Sequence, residues 1–173
     1  MAEACNDTGI GSFLNQDFLP ALQALVDSLN TEAGLNALGH QLQQERLTDL
    51  LKTRLKLEAF EEKYPEVREE VVAPPVVILS LPRTGTTMLQ RLLATDNRFQ
   101  SPLWYEVRFP VPGINWDFQT ATDSRIPAAK AEVAALLEAN PDLLSIHPLD
   151  AMAPDEDLLL LEATFLSSVP GSQ

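Results

Sequence analysis

The residues of this chain best suited to chemistry lie in one short turn, Pro82-Arg83-Thr84-Gly85-Thr86-Thr87. A helix N-terminus presents backbone N–H groups without intrahelical partners, together with a partial positive charge. A turn entering one is therefore an anion site. Gly85 permits close backbone approach or a positive φ, the hydroxyls of Thr84, Thr86 and Thr87 add donors, and Arg83 adds a full positive charge. These parts together make a cradle for a phosphate or a sulfate-like group. The pattern is near that of a Walker A loop, but Ser80 stands where the first glycine would be and Thr86 where the phosphate-clasping lysine would be. A Mg²⁺-dependent nucleoside triphosphatase keeps that lysine, so the loop reads as phosphate-binding without triphosphate hydrolysis. The competing reading is a capped turn with an incidental arginine.

Two elements must position this turn. Before it, Pro74-Pro75 introduces Val76-Val77-Ile78-Leu79-Ser80-Leu81, a short apolar, β-branched run. Such a run predicts a strand buried on both faces, hence one strand of a parallel sheet. After it, Met88, Leu89, Leu92 and Leu93 recur at helical spacing, facing that sheet, as far as Asp96-Asn97.

Upstream, residues 13–64 read as helical. Phe18, Leu22, Leu25, Val26 and Leu29 share one face, Asn30 and Thr31 interrupt the pattern and offer an N-cap, and Leu35, Leu38 and Leu42 resume it. Leu47, Leu50, Leu51, Leu55 and Phe60 extend it to Pro65. The polar side, with Arg46, Lys52, Arg54, Lys56, Glu58, Glu61, Glu62 and Lys63, reads as a solvated face laced with ion pairs. Downstream, residues 99–112 are rich in proline and aromatics and predict a structured loop. Pro127 suits the first position of a helix that buries Val133, Leu136 and Leu137 and stops at Asn140-Pro141. A last helix is predicted from Pro154, with Asp155, Glu156 and Asp157 complementing its dipole and apolar residues from Leu158 to Leu166.

Composition narrows the partners. Of 173 residues, 12 are Lys or Arg and 25 are Asp or Glu, a formal charge of −13. That acidity opposes nucleic acid and anionic membrane surfaces, so an anionic ligand must be captured by local geometry against the field of the whole protein. Cys5 is the only cysteine, which excludes an intrachain disulfide and a cysteine-based zinc site and predicts a free thiol in a loose terminus. No apolar run approaches the ~18 residues of a transmembrane segment, and the N-terminus lacks a secretory signal pattern. The expected location is cytoplasmic.

The segment 76–87 resembles the 5′-phosphosulfate-binding loop of sulfotransferases that use 3′-phosphoadenosine 5′-phosphosulfate (PAPS). Arg83, at a position where the soluble animal enzymes carry lysine, is similar to the bacterial-type and tyrosylprotein branches. Leu-Leu-Ala-Thr-Asp-Asn-Arg-Phe at 92–99, Trp104-Tyr105-Glu106, Phe109-Pro110-Val111-Pro112, Asp123-Ser124-Arg125, His147-Pro148 and Pro154-Asp155-Glu156-Asp157 resemble the bacterial-type pattern. The helical lead-in is similar to that group's N-terminal extension. The resemblance implies an α/β, P-loop-like sulfotransferase fold, a parallel sheet flanked by helices. It divides the chain into a helical extension, 1–70, and the N-terminal part of the transferase domain, 71–173.

It further implies transfer of a sulfuryl group from PAPS to a hydroxyl or amine of a small-molecule, glycan or lipid acceptor, with no metal. Pro82, Arg83, Thr84, Gly85, Thr86 and Thr87 would bind the donor. Arg83 would neutralise the bridging oxygen and 5′-phosphate as the bond to sulfur breaks. Transfer also needs a base. Glu106 is the first candidate, in a Glu-x-x-x-Pro setting similar to that of the tyrosylprotein branch, with a loop carboxylate paired to Arg108 as the plainer reading. His147 is the alternative base, or else a loop-packing residue. His40 reads as structural, Glu156 as a helix-terminal charge, and Arg125 as one half of an ion pair.

Only one convincing strand is legible, and no counterpart of the family's 3′-phosphate site is found before Gln173. The chain therefore reads as an N-terminal fragment. Besides a sulfotransferase, a kinase-like P-loop nucleotide-binding protein and a non-catalytic helical interaction module stand as alternatives. Acceptor and oligomeric state are not encoded in any motif.

Overall fold

The computed structural model describes residues 1–81, 84–113, 115–117 and 123–166. The chain divides into two compact units, one formed by Met1–Arg68 with the residues from Leu158 onward, the other by Glu69–Asp157.

The first unit is helical: α1 (Ala2–Thr8), α2 (Leu19–Thr31), α3 (Ala37–Lys63) and α8 (Leu158–Glu162). The break between α2 and α3 lies later than the sequence pattern predicts. Thr31 turns its Oγ1 back to the Asp27 carbonyl, 2.8 Å away, and stays helical. The cap is Asn36, whose Oδ1 accepts the Gly39 N–H at 2.8 Å. In one continuous helix the five-residue step from Leu42 to Leu47 takes Leu38 and Leu42 off the apolar face and into solvent, while Gln43, Leu47, Leu50, Leu51 and Leu55 face inward. The four leucines meet Ala4, Phe13, Phe18 and Phe165 in one core, with Phe18 ring centroids 5.2 Å from Phe13 and 5.7 Å from Phe165. Cys5 is a free thiol in α1, packed against that core rather than in a loose terminus.

The charged side of α3 holds distant chain segments as well as solvent. Arg46 pairs with the buried Glu162 at 2.8 Å. Arg54 donates to the Ala163 carbonyl and Asp17, both at 3.0 Å, and stacks over Phe18. Glu58 accepts the Leu14 and Asn15 N–H groups. Leu55 has no exposed surface. Leu55→Ala should therefore lower unfolding stability by about 2–5 kcal/mol in urea or thermal melts, and a loss below about 1 kcal/mol would contradict this core.

The second unit contains α4 (Thr86–Leu93), α5 (Trp104–Arg108), α6 (Arg125–Ala139) and α7 (Leu143–Ile146). The predicted strand is not formed. Residues 71–81 take no regular structure, and Val76, Val77, Leu79 and Leu81 are between 68% and 91% exposed. A strand is defined by its ladder, and no described residue offers one; the bridge Leu103–Pro154 is isolated. Met88, Leu89 and Leu92, predicted to face a sheet, are exposed accordingly. The predicted loop over 99–112 contains α5, which packs on α6 and is joined to it by Arg108–Glu132 at 2.9 Å. Helix α6 starts at Arg125, two residues before Pro127, and stops at Asn140 as predicted. Helix α8 starts at Leu158 rather than Pro154, because 154 and 155 bond to α5's approach instead. Among the described residues no helix is long and apolar enough to cross a membrane.

Candidate active site

Gly85 is the N-cap of α4, with φ +90° and ψ 18° in the left-handed region. No atom stands in the way of a Cβ there, so glycine is required by backbone conformation, not by space. The Gly85 carbonyl accepts the Leu89 N–H at 3.0 Å, which begins the helix and leaves the N–H groups of the first turn available to an anion. Thr84 Oγ1 donates to the Leu81 carbonyl at 2.7 Å and lies 2.8 Å from Ser80 Oγ. Its hydroxyl therefore closes the turn, and the hydroxyl donors for a ligand reduce to Thr86 and Thr87. Thr87 Oγ1 has a long, 3.5 Å contact to Glu156 Oε1. Pro82 and Arg83 lie outside the described residues.

The polar side of α4 rests on residues 147–156. Gln90 Nε2 donates to the Asp155 carbonyl at 2.8 Å, and the Arg91 guanidinium donates to the carbonyls of Pro154 and Pro148. The same segment serves α5: the Trp104 N–H donates to Ala153 O at 2.9 Å and the Tyr105 N–H to Ala151 O at 3.1 Å. His147 and Asp155 close it on itself, Nε2 to Oδ2 at 3.3 Å. The hydrogen bond to Asp155 raises the His147 pKa above its ordinary 6.5, against the opposing effect of burial.

Glu106 sits in the first turn of α5. Its Oε2 accepts the Leu103 N–H at 2.8 Å, and its Oε1 lies 3.3 Å from the Tyr105 hydroxyl. Burial, then the adjacent Glu106 charge, pushes the Tyr105 phenol up. Arg125 lies over the Tyr105 ring and donates to the Phe109 carbonyl; it also grips Asp123, whose carboxyl it holds below the usual range. Arg108 does not pair with Glu106 but with Glu132.

Thus the structure joins α4, carrying Gly85, Thr86 and Thr87, to His147 and to the helix of Glu106 through one connecting segment. His40 belongs to α3, in the first compact unit. Sequence reasoning missed Gln90, Arg91 and Asp155 as a connected set. Pro154-Asp155-Glu156-Asp157 reads locally as a helix start, and nothing in its spacing announces a carboxylate buried against His147.

A sequence model of the sulfotransferase family matches residues 74–172, more than half of the chain and the whole span from Pro74 through the turn, α4, α5 and the connecting segment. The chain belongs to the sulfotransferase family. Two solved structures are similar to it: the sulfotransferase STF9 of Mycobacterium avium, 28% identical with a TM-score of 0.79, and the sulfotransferase STF1 of Mycobacterium tuberculosis H37Rv, 27% identical with a TM-score of 0.80. Each covers 98% of this chain, which in turn spans 43% and 47% of theirs, less than half of either length. No curated protein matches.

Proposed function

We propose that this chain carries the donor-binding corner of a PAPS-dependent sulfotransferase, which moves a sulfuryl group onto a hydroxyl or amine of a small-molecule, glycan or lipid acceptor. The observation that carries the reading is the left-handed Gly85 opening α4 inside the matched span, with Thr86 and Thr87 as the first two residues of the helix. Their N–H and hydroxyl donors fit a 5′-phosphosulfate: they are neutral, directional and preorganised, and Arg83 adds the charge. In this reading the Thr86 and Thr87 groups hold the non-bridging oxygens and Arg83 neutralises the bridging oxygen as the S–O bond breaks. Glu106 takes the acceptor's proton, and His147, with Nε2 held by Asp155, is the alternative base through Nδ1. In a polypeptide that supplies pairing strands, Val76–Leu81 would join the family's parallel sheet, with 1–70 as a helical extension to the transferase domain.

The test is a titration with adenosine 3′,5′-bisphosphate, the donor's product, beside ATP·Mg. Binding of the bisphosphate in preference to ATP·Mg is the expected result. Preference for ATP·Mg would replace the reading with that of a P-loop nucleotide-binding protein.

A further inference from the structure

We propose that Asp155 is a positioning residue, which through its pair with His147 closes residues 147–156 into a strap that locks α4 and the first turn of α5 in one arrangement. That this arrangement serves the sulfate donor rests on the function proposed above; the strap itself does not.

Asp155 is 5% exposed, yet every polar group it owns is engaged. Its N–H donates to the Pro102 carbonyl, its carbonyl accepts Gln90 Nε2, its Oδ1 accepts the Glu156 N–H at 2.8 Å, and its Oδ2 meets His147. A buried carboxylate held this completely has no alternative conformation that keeps its partners. The pair spans eight residues, so it fixes both ends of a short loop at once. What the closed loop then offers is backbone. The carbonyls of Ala151 and Ala153 accept the Tyr105 and Trp104 N–H groups, which the start of α5 leaves without helical partners. The carbonyls of Pro148, Pro154 and Asp155 accept Arg91 and Gln90 from α4. No side-chain shape is read in these contacts. They hold only if 147–156 keeps one conformation; the Asp150 carbonyl and carboxylate turn its middle by accepting the Ala153 and Met152 N–H groups, and the His147–Asp155 pair ties its two ends.

The charged groups facing His147 are Asp155 and Glu156, which favour its protonated form, and Arg91, which opposes it. The net shift is upward from 6.5. A group whose folded pKa is raised stabilises in its protonated state. The contribution is therefore complete below about 6.5 and is lost as pH rises through the higher folded value.

Amide hydrogen exchange of the full chain, corrected for intrinsic rates and run alongside NMR titration of the His147 imidazole, reads the strap without any ligand. In the parent chain, protection at Trp104 and Tyr105 should fall with a midpoint matching the His147 titration. Asp155→Asn should return that titration towards 6.5 and cut the protection roughly tenfold at low pH, flattening its pH dependence. His147→Gln keeps a side-chain donor without the titration, so it should retain part of the protection with no midpoint. This variant decides the matter if Asp155→Asn fails to fold. Bisphosphate affinity should weaken severalfold in Asp155→Asn, although no part of Asp155 belongs to the donor loop. Unchanged protection in Asp155→Asn overturns the proposal, as does a surviving midpoint in His147→Gln. Loss of sulfate transfer in His147→Gln with protection intact also overturns it, because His147 is then the base and not the latch. If the parent chain shows the protection pattern but no bisphosphate binding, the strap stands and the donor-site reading fails.

Discussion

With the turn as the proposed donor site, Arg83→Ala should abolish measurable adenosine 3′,5′-bisphosphate binding at concentrations expected to saturate the parent chain. In any polypeptide carrying this segment that transfers sulfate, it lowers the rate by roughly 10²–10³. The reasoning is electrostatic. The chain has a formal charge of −13, so the mean field repels a polyanionic donor, and only local charge reverses that sign at the turn. Arg83 is the one cation within the six residues, and the remaining donors are neutral. A charge-assisted hydrogen bond is worth about twice a neutral one, and the charge counts most when negative charge builds on the bridging oxygen. Arg83→Lys keeps the charge but not the planar fork, and should restore binding more fully than rate. Isothermal titration with the bisphosphate reads the first effect and single-turnover transfer the second. An Arg83→Ala protein that binds and transfers like its parent removes the turn from the donor site.

How much of this was legible beforehand depends on how locally each feature is determined. Gly85 opening a helix could be read from sequence because cap and helix are both settled within four or five residues, and the structure places α4 there with φ +90° at the glycine. Leu47, Leu50, Leu51 and Leu55 were legible for a similar reason: their spacing fixes a face whatever packs on it. Leu38 and Leu42 do not belong to that face because the five-residue step from Leu42 to Leu47 breaks the three-and-four spacing within one continuous helix. The run Val76–Leu81 has strand composition but no ladder among the described residues, since composition states what a segment can pair with, not what it pairs with. The strap was illegible because its bonds go to backbone carbonyls. Arg91 to Pro148 and Pro154, and Trp104 to Ala153, leave no trace in residue type. The same limit hid Glu106's role as a cap for Leu103.

That cap gives the second large effect its discriminating form. Glu106→Gln should lower sulfate transfer by roughly 10²–10⁴ while leaving bisphosphate affinity within a few-fold of the parent. Two roles are superimposed in this carboxylate: Oε2 holds the Leu103 N–H at 2.8 Å, and the group as a whole is the proposed proton acceptor. Glutamine retains a carbonyl oxygen that can accept the Leu103 N–H, so the start of α5 survives and only basicity is lost. Glu106→Ala removes both, and should therefore add a loss of protection at the head of α5 to the loss of turnover. The pair of variants separates chemistry from scaffolding: a rate deficit common to both belongs to the base, and any deficit confined to alanine belongs to the cap. If Glu106→Gln transfers at the parent rate while Glu106→Ala does not, Glu106 is a structural cap and the proton goes elsewhere, with His147 Nδ1 the next group to test. The two assignments also differ in pH dependence. A histidine base makes the rate rise through the elevated His147 pKa, and a rate that does not follow the His147 titration removes it as the base.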